Sequence, residues 1–452
     1  GEMELTTSDG ETRRFGRRAA DNMDRLRLQH QLARERAIRA RPRSPRIGRV
    51  LEAAESASPV EAVEAVAREL GMAFGAVAVS FLITDLSGRA LVRLAHVPLS
   101  ARPAVVPDAL APGERREDEE SATVLPFDGG PHEQAVRTQT IQVTRPDAAA
   151  GEDSAGLWAV LAPVTERGES IGVLELYLLH EPGSEVLAEI GQVAHLLAFV
   201  IIANRRHTDL FEWGQRSRDF TLSAEIQQRL LPESQTCEAA AFTLAGWLEP
   251  AASIGGDTFD YTVARDSLHL SLTDAMGHGV NAALTASVCL GGLRGARRRG
   301  LSLLDQASEA NSALFAQASD RSHDDFVTGL VARRELQSGS LAIVNAGHVS
   351  PYLLRGGELP TLDLPVDLPF GMFAESTYAA SVVPLEPGDR LVLVTDGVVE
   401  SRSHDLDQGI ALLRERAVDL RKKPLHELVR RLADLADSSL RDDVTVVAAR
   451  LR

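Results

Sequence analysis

Apolar residues at spacings of three and four run through PVEAVEAVAREL, residues 59–70, and predict an amphipathic helix. AVAVSFLITD, residues 76–85, is a β-rich apolar run that stops at the turn residues LSGRA and predicts a buried strand. GLWAVLAPVTERGESIGVLELYLL, residues 156–179, reads as two strands joined by the polar TERGES, a hairpin. Over residues 184–231 the period is helical again. Leu187, Ile190, Val193, Leu197, Val200 and Ile201 form one stripe, with Leu210 and Phe211 beyond it. Such a stripe suits a two-stranded coiled-coil seam, and packing on the preceding domain would give the same pattern; dimerisation through this helix is the expectation. Gly214 interrupts the run and predicts a bend or break.

After Pro232 the pattern changes to short apolar strands punctuated by Gly and Asp, with helical intervals over residues 281–317 and 406–439. Strands and helices in this arrangement predict sheet layers covered by helices, an α+β fold. A chain of 452 residues that is 44% hydrophobic has material for two or three cores. The expected division is a basic helical segment (1–46), an α/β domain (47–182), a helical linker (183–231) and a C-terminal domain (232–452).

Net charge is −16, which repels nucleic acid and anionic membrane and points to protein or small-molecule partners. Residues 11–46 run against that balance, with twelve arginines and four acids. Phe15 is the only aromatic there, so the segment reads as a solvated helix rather than a nucleic-acid arm. Cys237 and Cys289 are too few for a disulfide framework or a thiolate cage, which fits a reducing cytoplasm. No charged-then-apolar leader is seen, and HLLAFVII, residues 195–202, is about a third of a membrane span, so a soluble, cytoplasmic protein is expected.

Acids recur at strand ends. GGDTFDY places Asp257 and Asp260 after two glycines, SLTDAMGHG places Asp274 after an apolar run, RLVLVTDGVVES places Asp396 after a buried strand, and RDDVTVV places Asp442 and Asp443 before the last one. Singly, each is an ordinary turn residue. Together they are oxygen ligands on rigid backbone, as Mg2+ and Mn2+ require. Zinc is disfavoured, since no HxxxH or cysteine pair occurs. Neither a G-x-S-x-G elbow nor a P-loop is present, which argues against serine or nucleotide-driven chemistry.

The order AEIQQRLLP, GGDTFDY, LTDAMGHGVNAAL, FVTGLVA, NAGHVSPYLL, LPFGM, LEPGDRLVLVTDGVVES and RDDVTVVAAR, over residues 220–452, resembles the bacterial PPM/PP2C serine/threonine phosphatases of the SpoIIE and RsbU group. Residues 162–177, with the hairpin pattern APVTERGESIGVLELY, resemble a GAF sensory domain. The first resemblance implies an αββα sandwich with two Mn2+ or Mg2+ ions between its sheets. Carried over, Asp274 bridges both ions and the carbonyl of Ala275 completes a site. Asp396 and Asp442 hold the second ion, and Asp257 binds the first directly or through water; Asp443 is the lesser candidate of its pair. Water activated by the ions would attack a phosphoserine or phosphothreonine without a phosphoenzyme.

His278 lies four residues after Asp274, not two as in eukaryotic relatives, so a leaving-group role does not transfer and a turn role is expected; His348 is expected to pack or orient its loop. Phe259 replaces a frequent Tyr, and Gly329 a bulkier apolar residue. The implied substrate is a phosphorylated STAS-type anti-anti-sigma factor in a partner-switching circuit, with an unidentified signal at the GAF-like domain. A scaffold without turnover and a phosphatase of small phosphate esters are the alternatives.

Overall fold

The computed structural model describes residues 3–6, 12–15, 45–99, 123–145, 156–216, 221–249, 256–318, 325–400, 406–436 and 443–451. Strands β1 (Met3–Thr6) and β2 (Thr12–Phe15) pair antiparallel, so residues 12–15, expected as helix, are strand; most of the basic segment lies outside the described residues.

The N-terminal unit comprises α1 (Pro45–Ser56), α2 (Ala62–Phe74), β3 (Ala78–Thr84), β4 (Ala90–Pro98), β5 (Val124–Pro126), α3 (Pro131–Thr138), β6 (Gln142–Thr144), β7 (Trp158–Glu166), β8 (Glu169–Leu178) and α4 (Ser184–Asn204). Its antiparallel sheet runs β5-β4-β3-β8-β7-β6. The expected helix, strand and hairpin are α2, β3 and β7–β8. Alternation along β3 sends Val79, Phe81 and Ile83 to the face covered by α1, α2 and α4, and Leu82 to a smaller cluster beneath α3.

The stretch 184–230 is helical but not one continuous helix. Helix α4 ends at Asn204, a 3-10 turn follows at Arg205–His207, and α5 (Leu210–Gly214) and α6 (Leu222–Leu230) are separate short helices. The stripe of Ile190, Val193, Leu197, Val200 and Ile201, with Phe211, lies inside the N-terminal core. Intramolecular packing therefore uses the apolar face that suggested a coiled-coil seam. The segment from Ser184 to His207 is long and apolar enough to cross a membrane by composition, with an 18-residue stretch of mean hydropathy 2.0, yet its apolar stripe packs in the N-terminal core. Gly214, the last residue of α5, is glycine for a local reason: a Cβ there would strike Leu94.

The C-terminal unit holds β9 (Thr236–Glu238), β10 (Phe242–Glu249), β11 (Asp257–Val263), β12 (Ser267–Ala275), α7 (Gly279–Arg298), α8 (Leu303–Ala318), β13 (Val327–Glu335), β14 (Ser340–Ala346), β15 (Tyr352–Leu354), β16 (Ser381–Pro384), β17 (Arg390–Val394), α9 (Asp396–Val399), α10 (Leu406–Asp419), α11 (Leu425–Ala433) and β18 (Val444–Leu451). Two antiparallel sheets form, β15-β17-β18-β10-β9 and β11-β12-β13-β14-β16. Phe242, Leu244, Phe259, Leu270, Leu272, Leu330 and Leu393 pack between them. Val392, Val394, Val446 and Ala448 face outward against α10 and α11, while Val331, Val344 and Ala346 face outward against α7 and α8. The central strands β17, β18, β13 and β14 are thus largely apolar on both faces, as burial between a second sheet and helices demands. The result is an αββα sandwich. Gly300, at φ 74°, separates α7 from α8.

The two units meet at turns. The β7–β8 tip lies on edge strand β9, where Glu238 N–H donates to Arg167 O at 2.9 Å and a Cβ on Gly168 would come within 2.5 Å of the Glu238 side chain. Glu169 accepts from Ser234 Oγ, and Arg205 pairs with Glu233 at 3.0 Å. The β3–β4 tip packs Gly88 against Trp247 and pairs Arg89 with Glu249 at 3.3 Å. From α11, the Arg430 guanidinium lies 6.0 Å from the Phe127 ring centre and 5.9 Å from that of Trp247.

Candidate metal centre

Strands β11 and β12 place Asp257 and Asp274 directly opposite each other in register. Gly256 is glycine for a steric reason, because a Cβ would lie 2.6 Å from the carbonyl oxygen of Ala275. After Ala275 the chain turns through Gly277 (φ 97°) and Gly279 (φ 71°), left-handed values that favour glycine, into α7. Beyond the facing sheet's β17, Thr395 caps α9 and Asp396 opens it, and β18 begins beside Asp443.

Two threonines of that sheet reach across. Thr395 and Thr445 hydroxyls donate to Asp257 Oδ2 at 2.8 and 2.6 Å, and Thr445 N–H donates to Thr395 Oγ1 at 2.9 Å. Asp257 is 1% exposed, while Asp274 and Asp396 are half-buried. Burial holds the Asp257 carboxyl well above the usual range, and the charges of Asp274 and Asp443 push it further, against the two hydroxyl donors.

Asp443 points inward. Its Oδ2 accepts from Gln227 Nε2 at 2.6 Å, Gly256 N–H at 3.1 Å and Asp257 N–H at 3.3 Å. Gln227 Nε2 also donates to Asp257 O at 2.9 Å, so α6 clamps β11 to the start of β18. Asp442, the expected ligand of the pair, lies outside the described residues. Asp260 is buried against α7, paired with Arg294 at 2.8 Å and Arg297 at 3.0 Å.

The structure therefore brings Asp257 and Asp274 together, with Ala275 and Asp396 at the same end of the sandwich. Among the described residues, no group of three or more His, Cys, Asp or Glu side chains is close enough to hold a metal ion. The donors at this end are all oxygen, which suits Mg2+ or Mn2+, and the crowding of like charge at Asp257 is what a divalent cation would relieve.

His348 joins the sheets. It bonds Thr328 Oγ1 through Nδ1 at 2.8 Å and Val394 O through Nε2 at 3.2 Å, and burial pushes its pKa down to about 4, so the ring is neutral. His278 is exposed at the N-cap of α7. Phe259 is fully buried against Gly246, where a tyrosine hydroxyl would lack water, and a Cβ on Gly329 would lie 2.9 Å from Thr273. Sequence reasoning missed Gln227, Thr395 and Thr445, although each sits inside a motif quoted above; a polar residue amid an apolar helix face or at a buried strand end was the available signal.

A four-layer αββα sandwich with carboxylates of both sheets at one end is the arrangement of the PPM/PP2C serine/threonine phosphatases. Residues 264–452 match the family model of Stage II sporulation protein E (SpoIIE), and the chain carries a SpoIIE-type PP2C phosphatase domain. It is 24% identical to phosphoserine phosphatase RsbU of Bacillus subtilis over 278 residues, 57% of this chain and 80% of that protein. Among solved structures, the RsbU and RsbW domains of a Mycobacterium tuberculosis protein align at 23% identity with TM-score 0.42, covering 49% of this chain and 62% of that one. The PP2C domain and regulatory fragment of Bacillus subtilis SpoIIE aligns at 18% identity with TM-score 0.40, covering 47% and 65%. The chain thus spans under two thirds of these two solved chains.

Proposed function

We propose that this protein is a divalent-metal-dependent phosphatase of phosphoserine or phosphothreonine in a protein, governed by its N-terminal unit. The observation that carries the proposal is the convergence of the carboxylate-bearing ends of β11, β12 and β17 on one end of the sandwich. Asp257, Asp274, Asp396, Asp442 and the Ala275 carbonyl would hold two Mn2+ or Mg2+ ions. When bound, the ions supply an activated water and neutralise phosphoryl charge. The chain's own contribution is positioning. Thr395 and Thr445 fix the Asp257 carboxylate, Gln227 and Asp443 fix its backbone, and His348 locks the two sheets at the same end.

The substrate class that the RsbU likeness supports is a phosphorylated STAS-type protein in a partner-switching circuit. Control by the GAF-like unit is supported by the turns that rest on β9, β10 and α11, which belong to or cover the sheet bearing Asp396 and Asp443. The test is hydrolysis of p-nitrophenyl phosphate and of a phosphoserine STAS-domain protein by wild type and Asp274→Asn, with Mn2+, Mg2+ or chelator. Metal-dependent release that vanishes in the variant is expected. Equal turnover by both proteins would overturn the assignment, and turnover of small esters alone would overturn the substrate class.

A further inference from the structure

Among the described residues, two that are not glycine hold a left-handed backbone, Gln139 at φ 55° and Arg167 at φ 44°. A side chain is strained there, and such strain persists only where surrounding contacts hold it. Both residues sit at one place. Gln139 closes α3 where glycine is the usual residue, and its Nε2 donates to the carbonyl of Gly168. Arg167 and Gly168 form the two-residue turn of the β7–β8 hairpin, for which Asn-Gly is the favoured pair. The contacts that hold this strain cross to the phosphatase. Arg167 O accepts from Glu238 N–H at 2.9 Å, and Arg167 Nη1 donates to Glu238 O at 3.4 Å.

Helix α3 is eight residues long and is entered through Gly129 at φ 85°. At its first turn, His132 Nε2 lies 3.0 Å from Oε1 of Glu175, which is 1% exposed in the middle of β8. Arg93 Nη2 and Tyr177 Oη donate to the same carboxylate at 3.2 and 2.9 Å. Burial opposes its ionised form, but the His132 bond and the Arg93 charge outweigh burial and hold the carboxyl below its usual range. Ala135, between the two ends of α3, packs on Leu82, Leu161 and Val173. At the last turn, Arg137 O lies 3.2 Å from His426 Nε2 of α11. Glu169, next to the hairpin turn, accepts from Ser234 Oγ, and Ser234 O accepts from Tyr261 Oη at 2.9 Å. Tyr261 lies on β11, the strand that begins at Asp257. One end of α3 therefore rests on a buried charge, and the other on the contact between the units.

We propose that α3 is the lever that couples the two units. Latched to Glu175 through His132, it holds the Arg167–Gly168 turn through Gln139, and the turn holds the segment from Ser234 to Glu238 against β11. This coupling rests on the phosphatase reading above and names its regulation. A lever needs two arrangements that both of its ends bias. Strain supplies the second: once the bond to Gly168 opens, Gln139 can leave the left-handed region, so a relaxed, undocked arrangement competes with the docked one.

The test compares the full chain with Gln139→Gly, His132→Gln and the double variant. Two readings are taken, hydrogen exchange at the Glu238 amide and p-nitrophenyl phosphate turnover with Mn2+. Glycine suits the backbone of position 139, so Gln139→Gly removes the bond without harming the helix end. Exchange at Glu238 is expected to rise about fivefold or more in each single variant and no further in the double, because both changes open one contact. Amides of β18 stay at wild-type rates, which separates release of the turn from general unfolding. Turnover is expected to change about threefold or more in the same pattern. Wild-type exchange at Glu238 in a folded His132→Gln, or additive effects in the double variant, overturns the proposal. If His132→Gln does not fold, Gln139→Gly decides alone: unchanged exchange, or unchanged turnover in an enzyme that is active as wild type, overturns it. A wild type without metal-dependent turnover overturns the phosphatase reading instead, and the exchange pattern still judges the lever.

Discussion

Replacing Gln227 by leucine removes the clamp between α6, β11 and β18. Two bonds are lost, one of 2.6 Å to Asp443 Oδ2 and one of 2.9 Å to Asp257 O. A bond to a charged acceptor contributes about 1.5–3 kcal/mol and one to a carbonyl about 0.5–1.5 kcal/mol. Two effects offset the loss. Asp443 keeps its donors from Gly256 and Asp257, and leucine removes Gln227 Oε1, which is buried without a partner at a cost of about 1–3 kcal/mol. The net destabilisation expected is therefore only about 1–2 kcal/mol. Activity should suffer more, because the bonds fix the backbone that carries Asp257, and a displacement of order 1 Å in a catalytic group costs on the order of 100-fold. Urea titration gives the stability, and p-nitrophenyl phosphate turnover with Mn2+ well below the unfolding transition gives the activity. A fully folded Gln227→Leu with wild-type turnover would refute the argument that this clamp positions the centre.

Three further outcomes are expected. His348 is held neutral in the folded chain down to about pH 4, whereas an unfolded histidine titrates near 6.5. The unfolded state alone gains the proton in that window, so stability is full above about 6.5 and falls by up to about 3 kcal/mol as pH drops toward 4. His269, also pushed down to about 4, acts in the same direction, and His348→Gln should flatten the fall in urea midpoint between pH 7 and 5 without removing it. Asp260→Asn strips two partly buried arginines of their partner and should cost about 3 kcal/mol in urea titration, with Mn2+ affinity by calorimetry unchanged. Arg430→Ala removes the guanidinium shared by Phe127 and Trp247 and should alter the response of full-length turnover to its signal, leaving urea stability within about 1 kcal/mol.

Long, strongly patterned stretches were legible in the sequence. The β7–β8 hairpin and helix α2 lie where residues 156–179 and 59–70 place them, because alternation and helical spacing report burial directly. The stripe around Val193 and Leu197 was ambiguous, since a helix buried on its own domain and a coiled-coil seam present the same spacing, and here the stripe packs in its own domain's core. Glycines after the carboxylate strands were informative, as Gly256, Gly277 and Gly279 each answer to a close approach or a left-handed turn. What could not be read was which sheet supports which acid. Thr445 and Asp257 stand 188 residues apart in the chain, and only closure of the sandwich makes them neighbours.

Among the described residues, the N-terminal unit touches the phosphatase through short turns and a handful of side chains, none drawn from the strands that frame the carboxylates. Turn tips tolerate change that strands do not. If control runs through these contacts, the N-terminal unit can diverge, or be exchanged for another of similar outline, provided a few tip residues still meet Glu238, Trp247 and Arg430. Selection, or an engineer, can then rewrite what the molecule listens to without retouching what it cuts.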